Sequence, residues 1–332
     1  MPRPVVKKGV KINLLLYAIK RVLLLIPILI AVSIIVFLLL DLAPGNIIDM
    51  MQIEKLTPEE YQELLRQYNL DKPVFYRYGL YMINLLQGNL GKSDYTGLDV
   101  WQIYISRFPN TLLLAVSSLI FGSVIGIPLG IFAAKRAGTL ADNAVTFVTL
   151  VGMSIPGFWL ALLLMLQFSL RWQWLPAGGT GDGIRSIILP TICSGFVLMA
   201  GCTRQTRSSM LEQLNADYLR TARAKGVPEK AVINKHALGN AWIPILTTIG
   251  GALSFSIGGS AIIEAVFTWR GVGSLAVDAV INRDFTMTMG CTIMTTTMFV
   301  LIQLMVDLLY ALADPRIKSA YARPKIRGRS AA

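Results

Sequence analysis

The sequence predicts an all-α integral membrane protein with six transmembrane helices. Apolar residues make up 54% of the 332 positions and charged residues only 15%, and the mean hydropathy is +0.57. These values lie outside the range of ordinary soluble domains. The third observation is a series of long apolar runs separated by polar segments, at residues 22–40, 110–134, 144–170, 187–203, 243–267 and 288–312.

The first apolar run is free of charge from Val22 to Leu40, follows Lys20-Arg21 and ends at Asp41. As a helix it would be roughly 28 Å long, which matches the apolar thickness of a bilayer. The run is too long for a signal peptide and lacks a small-residue cleavage site. We therefore predict a permanent first transmembrane helix at 22–40, preceded by a cytoplasmic segment at 1–21.

The distribution of positive charge predicts the orientation. With six spans, 21 of the 31 Lys and Arg residues fall on the side of the two termini and 10 on the other side. Lys and Arg accumulate on cytoplasmic loops. We expect a multi-pass cell-membrane protein with both termini, a 204–240 loop and a basic 313–332 tail in the cytoplasm. The net charge of +12 indicates topology and not nucleic acid, because no basic stripe is interleaved with aromatic residues.

The segment 41–109 is too long for a simple connector and is predicted to form a small helical external subdomain between spans 1 and 2. Thr57-Pro58-Glu59-Glu60 has the pattern of a capping box with Pro at the first helical position, which predicts a helix to about Asn69. After Lys72-Pro73, a second amphipathic helix is expected from the apolar spacing of Tyr76, Leu80, Ile83 and Leu86.

The residue pattern argues against catalysis and against a metal site. The single histidine, His236, has no cysteine or carboxylate at ligand spacing. No Gly-x-Ser-x-Gly elbow is present. Gly88-Asn-Leu-Gly91-Lys92-Ser93 lacks the first glycine of a phosphate-binding loop and is expected outside the cell, so it is not a nucleotide site. The cysteines lack paired spacing and are expected to be small buried residues: Cys193, Cys202 and Cys291.

Two ionisable residues lie near membrane depth. A charge there is costly and by default indicates a functional site. We interpret Glu264, near the external end of the fifth span, as a site candidate. Asp307 shares a helix face with Tyr310 and is interpreted as a structural polar anchor near the cytoplasmic surface.

The polar segment 217–240 lies between two apolar runs and carries the most specific pattern. Arg220-Thr221-Ala222 is followed by Arg223-Ala224-Lys225-Gly226, and His236 comes ten residues after the glycine. This segment resembles the cytoplasmic loop of ABC importer permeases, in the dipeptide/oligopeptide/nickel branch. Arg220, where the general motif has Glu, and Gly239, where many members have Pro, both fit that branch. Ser154-Ile-Pro156-Gly-Phe158-Trp159 and the Gly88–Ser93 segment also resemble signatures of the branch.

The resemblance implies the type I importer transmembrane fold, with an ABC permease core at 110–312. It also implies that the 204–240 loop couples the spans to separate ATPase subunits. The coupling residues would be Arg220, Thr221, Ala222, Arg223, Lys225, Gly226, Val227, Pro228, Glu229, Ala231 and Val232. Val227, Ala231 and Val232 are expected to form an apolar face for a partner's groove. The family's external-gate element would be Glu264, Phe267, Gly271 and Gly273.

Two spans carry small residues every four positions, which let helix backbones approach closely. Packing within this chain and, by resemblance, packing against a second permease both fit these ridges. Pro128 and Pro156 lie inside predicted spans, where neighbours must satisfy the freed carbonyls. The two ridges are Gly122, Gly126 and Gly130, and Gly250, Ser254 and Gly258.

The resemblance implies a non-enzymatic subunit that binds no cofactor or metal itself, with ATP and Mg bound by partners. Those partners would be a second homologous permease, two ABC ATPase subunits, an external substrate-binding protein and membrane lipid, but no nucleic acid. We expect di- or oligopeptides as cargo, and nickel chelates or glutathione stay open. A secondary transporter would need broken helices in two inverted halves and coupling carboxylates at the midplane, and neither is visible. A non-transporting receptor or scaffold also stays open.

Overall fold

The computed structural model describes residues 14–43, 48 and 57–313, and within these residues the regular secondary structure is helical. The helices are α1 (Leu14–Leu42), α2 (Pro58–Gln67), α3 (Val74–Leu86), α4 (Val100–Lys135), α5 (Leu140–Ser154), α6 (Gly157–Leu164), π1 (Met165–Arg171), α7 (Ile184–Leu214), α8 (Asp217–Ala224), α9 (Glu229–Ala231), π2 (Val232–Ala237), α10 (Leu238–Gly259), α11 (Ala261–Val266), α12 (Val272–Ile281) and α13 (Phe285–Ala313).

The six predicted spans are found. Among the described residues, five helical stretches are long and apolar enough to cross a membrane, and one bent helix pair supplies a sixth. The stretches are Arg21–Leu42, Val100–Lys135, Ile184–Leu214, Glu229–Gly258 and Phe285–Leu308, and the bent pair is Leu140–Ser154 with Gly157–Arg171. The all-α membrane fold is confirmed.

The third span was predicted to be one continuous helix, but it is broken. Helix α5 and the stretch formed by α6 and π1 are bent by 99° relative to each other. Pro156, predicted inside a continuous span, lies instead at the break. Proline lacks an N–H donor and disfavours helical backbone in the residue before it. Ile155 is accordingly extended, with φ −74° and ψ 124°.

Two helices cross predicted segment boundaries. Helix α4 begins at Val100, inside the 41–109 segment, and α7 continues to Leu214, inside the 204–240 loop. Apolar runs mark the part of a helix that lies in the lipid core, whereas the helix itself continues into the aqueous region. Residues 1–13 of the predicted N-terminal segment and 314–332 of the predicted tail lie outside the described residues.

Helices α4 and α7 pack closely along one ridge of small residues. A Cβ added at Gly126 would lie 2.6 Å from the Met199 carbonyl oxygen, and one at Gly130 would lie 2.5 Å from Thr206 Cβ. At Gly122 the added atom would lie 2.3 Å from Leu198 Cδ2. The backbones approach to a distance that only glycine allows.

The second ridge is less uniform. Ser254 is buried and donates a hydrogen bond to the Gly250 carbonyl at 3.3 Å. Gly258 is exposed, and a Cβ there would meet nothing within 4 Å. Gly258 therefore has no close packing role among the described residues, although it remains available to a partner.

Helices α1 and α13 run antiparallel. Arg21 Nη2 lies 2.9 Å from Asp307 Oδ2 at one end, and Phe37 contacts Phe285 edge-on at the other, with ring centroids 5.0 Å apart. Gln303 Nε2 also donates to Asp307 Oδ1 at 3.1 Å. Asp307 thus joins the first and last spans, in agreement with its interpretation as a structural anchor.

The capping box predicted at the start of α2 is present. The Glu60 amide donates to Thr57 Oγ1 at 3.3 Å, and the Thr57 amide donates to Glu60 Oε2 at 2.8 Å. These hydrogen bonds lower the pKa of Glu60. The helix ends at Gln67, two residues before the predicted Asn69.

We predict that Gly126→Ala destabilises the protein by about 1–3 kcal/mol, because the added methyl group would overpack the α4–α7 contact. Gly251→Ala is the matched control, since a Cβ at this helical glycine meets nothing within 4 Å. The measurement is thermal unfolding of both purified variants in detergent. Equal midpoints for the two variants would contradict the close-packing interpretation.

Candidate functional site

The loop that was predicted to be cytoplasmic is a helix, a tight turn and a second helical stretch. Helix α8 ends in a Schellman motif, in which the Val227 amide donates to the Ala222 carbonyl at 3.2 Å and the Gly226 amide donates to the Arg223 carbonyl at 2.9 Å. Gly226 has φ +77°, a conformation that glycine adopts without steric cost. Pro228 then caps the start of α9.

The loop is anchored on an apolar cluster at the ends of α4 and α7. Its buried members are Ala134, Met210, Leu219, Val232, Ile233, Ala237, Ala241 and Ile245. We call this the cytoplasmic cluster. It joins α8, π2 and the start of α10 to the same two helices that pack through the glycine ridge. The loop is therefore continuous with the transmembrane core and does not hang from it as a separate hairpin.

The structure does not show the predicted apolar face of the loop directed toward a partner. Val232 is fully buried in the cytoplasmic cluster, and Val227 is partly buried against it. Ala231 is only partly exposed. Val227 and Val232 face the protein's own core because the turn at Gly226 folds the second helix back over α8. Ala222 likewise packs on the cluster.

The exposed face of the loop is polar and basic. Arg223 and Glu229 join the two sides of the turn by a bidentate contact, with Nε to Oε2 at 3.0 Å and Nη2 to Oε1 at 2.9 Å. This contact raises the pKa of Arg223. The other exposed members of the predicted coupling set are Arg220, Thr221, Lys225, Gly226 and Pro228. This polar surface is what the loop presents to a partner.

Glu264 on α11 is fully buried and gathers hydrogen bonds from three elements. Its Oε1 accepts from Thr111 of α4 at 2.8 Å and from Ser260 at 2.9 Å, and its Oε2 accepts from the Ser274 amide of α12 at 2.9 Å. Thr111 Oγ1 also accepts from the Val272 amide at 2.7 Å. The carboxylate thus fixes the α11–α12 turn on α4.

The glycines of the predicted gate element make room for this carboxylate. A Cβ at Gly271 would lie 2.2 Å from Glu264 Oε2, and one at Gly273 would lie 2.6 Å from the Ala261 Cα. Phe267 is 1% exposed and packs with Ala161 and Leu189. The structure therefore brings Glu264, Gly271 and Gly273 together in a packed turn, with Phe267 buried beside it.

Comparison with known proteins identifies the family of this chain. The family model "Binding-protein-dependent transport system inner membrane component" matches residues 126–319, and the model of its N-terminal part matches residues 14–115. The chain belongs to this family. As one of its permeases it is a multi-span inner-membrane component of a transport system, and the resemblance to ABC importer permeases is confirmed.

The relatives of this permease are named for peptide transport. It is 38% identical to the oligopeptide transport system permease protein AppB of Bacillus subtilis, over 91% of this chain and 99% of the relative. It is 37% identical to the di/tripeptide permease DppB of Pseudomonas aeruginosa, covering 90% and 97%. It is 34% identical to the dipeptide permease DppB of Escherichia coli K12, covering 92% and 99%.

The fold of the permease resembles that of a solved importer. An inward-facing structure of the MetNI methionine ABC transporter matches with a TM-score of 0.50 and 20% identity, over 67% of this chain and 98% of that chain. The predicted type I importer transmembrane fold is confirmed.

The Gly88–Ser93 segment of the permease forms a turn docked on the start of α13. Ser93 is buried and donates a hydrogen bond to Asp284, whose other oxygen accepts from the Met287 amide at 2.8 Å. Gly91 has φ +84°, and a Cβ there would lie 2.7 Å from Thr286 Cγ2. These contacts give the segment a structural role in the permease.

Two carboxylates at this turn were missed by sequence reasoning. Asp94 accepts from the Thr286 amide at 2.8 Å and from its hydroxyl at 3.0 Å. Burial raises the pKa of Asp94. Asp284 directly precedes α13, which is the preferred position for a helix-capping Asp, and this signal is visible in the sequence.

A third missed contact joins α5 and α7 of the permease. Asp142 is 1% exposed and binds the guanidinium of Arg207 through both oxygens, at 2.5 and 2.7 Å. It also accepts from the Gly138 amide at 2.9 Å. The pair fixes the start of α5 on α7. Nothing in the spacing of these residues indicates that they meet.

Within the described part of the permease, no three His, Cys, Asp or Glu side chains are grouped for a metal ion. His236 is partly buried in the loop, and its carbonyl accepts from Asn240 Nδ2 at 3.2 Å. The three cysteines are buried as predicted.

We predict that Glu264→Ala lowers the unfolding temperature of the permease markedly. Each buried donor that loses its acceptor costs about 1–3 kcal/mol, and Thr111, Ser260 and Ser274 would all lose one. Glu264→Gln should be intermediate, because the amide keeps the volume but presents a donor to Ser274. Exposed Glu212→Ala is the control. Thermal unfolding in detergent decides, and equal midpoints for Glu264→Ala and Glu212→Ala would contradict the network.

Proposed function

We propose that this permease is one of two membrane-spanning subunits of an ATP-driven importer of di- and oligopeptides. The observation that carries the proposal is the exposed polar loop 215–240, which is anchored on the transmembrane core by the cytoplasmic cluster. A surface that is both exposed and mechanically continuous with the spans suits the transfer of motion from a partner. The peptide cargo is supported by the names of the relatives.

The complete importer would contain a second homologous permease, two ABC ATPase subunits and an external substrate-binding protein. The ATPase subunits would bind ATP and Mg, and this chain would bind no cofactor. Both termini and the loop would lie in the cytoplasm. The family description, with its dependence on a binding protein, supports the external partner, and the positive charge of the loop supports its cytoplasmic position.

The coupling path would follow one continuous helical stretch. From Glu229 to Gly259 the chain passes through α9, π2 and α10 without a break, a length of roughly 45 Å. Immediately after it, α11 carries Glu264, which holds the outer turn on α4. Closure of the ATPase pair would displace the loop, and this rod would carry the displacement to the outer side. The translocation path for the peptide would thereby alternate between inward-facing and outward-facing states.

The charged residues of the loop would orient the partner. Arg220 and Lys225 are exposed, and the Arg223–Glu229 pair stiffens the turn. Charges at the rim of an interface affect the rate and register of docking more than its affinity. The residues Ala222, Val227 and Val232 contribute by holding the loop on the cytoplasmic cluster.

We predict that Gly226→Val abolishes transport while the spans remain inserted. A residue with a side chain pays about 1–2 kcal/mol in left-handed backbone, and a β-branched residue fits it worst. Gly226→Asn is the matched control and should retain most activity, since Asn tolerates this conformation. Co-purification of the ATPase and ligand-stimulated ATP hydrolysis in liposomes are measured. Normal values for Gly226→Val in both assays, together with normal uptake, would mean that the loop is only a connector.

We predict that cells lacking this permease resist toxic dipeptide or tripeptide analogues and take up nickel normally. The reason is the peptide-transport identity of the relatives. Growth inhibition and nickel uptake are measured with and without a plasmid that restores the chain. Sensitivity to the analogues together with lost nickel uptake would assign the cargo to metal chelates.

We predict that a cysteine at Thr96 reacts with an impermeant thiol reagent from outside intact cells, and that one at Leu140 reacts only after the membrane is opened. Both positions are exposed, whereas Ser93 is only 3% exposed and would be blocked. The native cysteines are buried, so the chain without an introduced cysteine is the control. Reversed labelling would overturn the orientation.

A further inference from the structure

Helix α3 leaves an apolar face uncovered. Phe75 and Leu86 are each 82% exposed, and Ile83 is 54% exposed. Phe75, Ile83 and Leu86 recur at helical spacing along one side of α3, whereas Leu80 lines a cavity with Asp41 and Tyr68. Helix α2 differs, since its exposed residues are polar or charged apart from Pro58. The two external helices therefore meet different surroundings.

The opposite side of α3 packs on the outer turns of the first span. Tyr78 OH lies 2.9 Å from Ser33 Oγ, and the rings of Tyr78 and Tyr81 contact Phe37 at 5.4 and 6.2 Å between centroids. Ser33 is buried in the middle of the apolar stretch Arg21–Leu42. It lies eight residues before Asp41, about 12 Å deeper along the helix axis. Side chains of α3 thus reach well into the membrane depth of α1.

The charges of this region mark the membrane surface. Arg77 is the only charged residue of α3, and it pairs with Asp41 at the end of the apolar run. From Tyr78 to Leu90 the sequence contains no charged residue. Tyr76 is exposed one residue before Arg77, and exposed tyrosines are typical of the membrane–water interface. Arg77 and Tyr76 therefore indicate the level of the lipid headgroups. The uncharged part of α3 that begins at Tyr78 would lie on the acyl-chain side of that level.

Helix α1, on which α3 packs, also exposes apolar side chains. On the same outer turns, α1 exposes Ile30, Ile34 and Leu38. A helix with one apolar side, few charges and aromatic residues at the headgroup level has the properties of an interfacial membrane helix. An aqueous position would leave three large, exposed apolar side chains in water beside a lipid surface.

We propose that α3 lies in the outer leaflet, with Phe75, Ile83 and Leu86 covered by lipid acyl chains and Arg77 at the headgroup level. The external subdomain is then only partly aqueous: α2 stands in water, and α3 is embedded and supports the outer half of α1. This surface is distinct from the cytoplasmic loop and from the Glu264 network, and it does not depend on the cargo.

The test uses nitroxide labels on single introduced cysteines in the full-length chain, assembled with its partner subunits and reconstituted in lipid bilayers. The labels are placed at Ile83 and Leu86 on α3, with exposed Gln62 on α2 as the matched control. Power-saturation EPR measures collisions with oxygen, which concentrates in lipid, and with a water-soluble nickel chelate. The highly exposed positions tolerate a label without disturbing the core, and unlabelled wild-type chain controls for the buried native cysteines.

We expect the label at Ile83 and at Leu86 to collide more often with oxygen than with the nickel chelate. At Gln62 we expect more collisions with the nickel chelate than with oxygen. Nickel collisions that exceed oxygen collisions at Ile83 and Leu86 would place α3 in water and overturn the proposal. Low collision rates for both reagents would show that a protein partner covers this face, and would overturn it equally. Ligand-stimulated ATP hydrolysis of each labelled complex confirms that the assembly measured is the native one.

Discussion

The close approach of α4 and α7 is the constraint on which the rest of the structure depends. Gly122, Gly126 and Gly130 face α7 at distances that leave no room for a Cβ. In lipid there is no hydrophobic force between helices, so backbone approach and van der Waals packing supply the association. Both functional regions are built on this pair, since Thr111 of α4 binds Glu264 at one end and Ala134 of α4 lies in the cytoplasmic cluster at the other.

The two ends are joined a second time by the rod from Glu229 to Gly259. The rod begins at the exposed loop and leads into α11. Glu264 of α11 accepts a hydrogen bond from Thr111 of α4. A force on the loop therefore acts on a closed frame of packed helices. The Arg207–Asp142 pair joins α7 to α5, and the Arg21–Asp307 pair joins α1 to α13. In the proposed importer such a frame would transmit displacement, because packed interfaces shift between discrete arrangements and do not deform continuously.

Sequence reasoning predicted what local patterns determine. Apolar length identified the spans, the Thr57–Glu60 spacing identified a capping box, and a glycine after a helix identified the turn at Gly226. Sequence reasoning failed where the direction of a side chain depends on which part of the structure it packs against. An apolar residue in a polar loop, such as Val232, can face a partner or its own core, and only the folded chain shows which. Pro156 was placed inside a span because hydropathy continues across the break, although proline itself favoured the end of a helix.

The central claim is that the loop moves as one body with its own transmembrane core. It is tested most directly by the distance between spin labels at Asp217 and Arg136, both exposed, in the reconstituted complex without nucleotide and with ATP trapped. We expect one narrow Asp217–Arg136 distance distribution that stays the same in both states, while the distance from Asp217 to the corresponding loop position of the partner permease changes. A shift or broadening of the Asp217–Arg136 distance would show a hinge between loop and core, and would contradict the account.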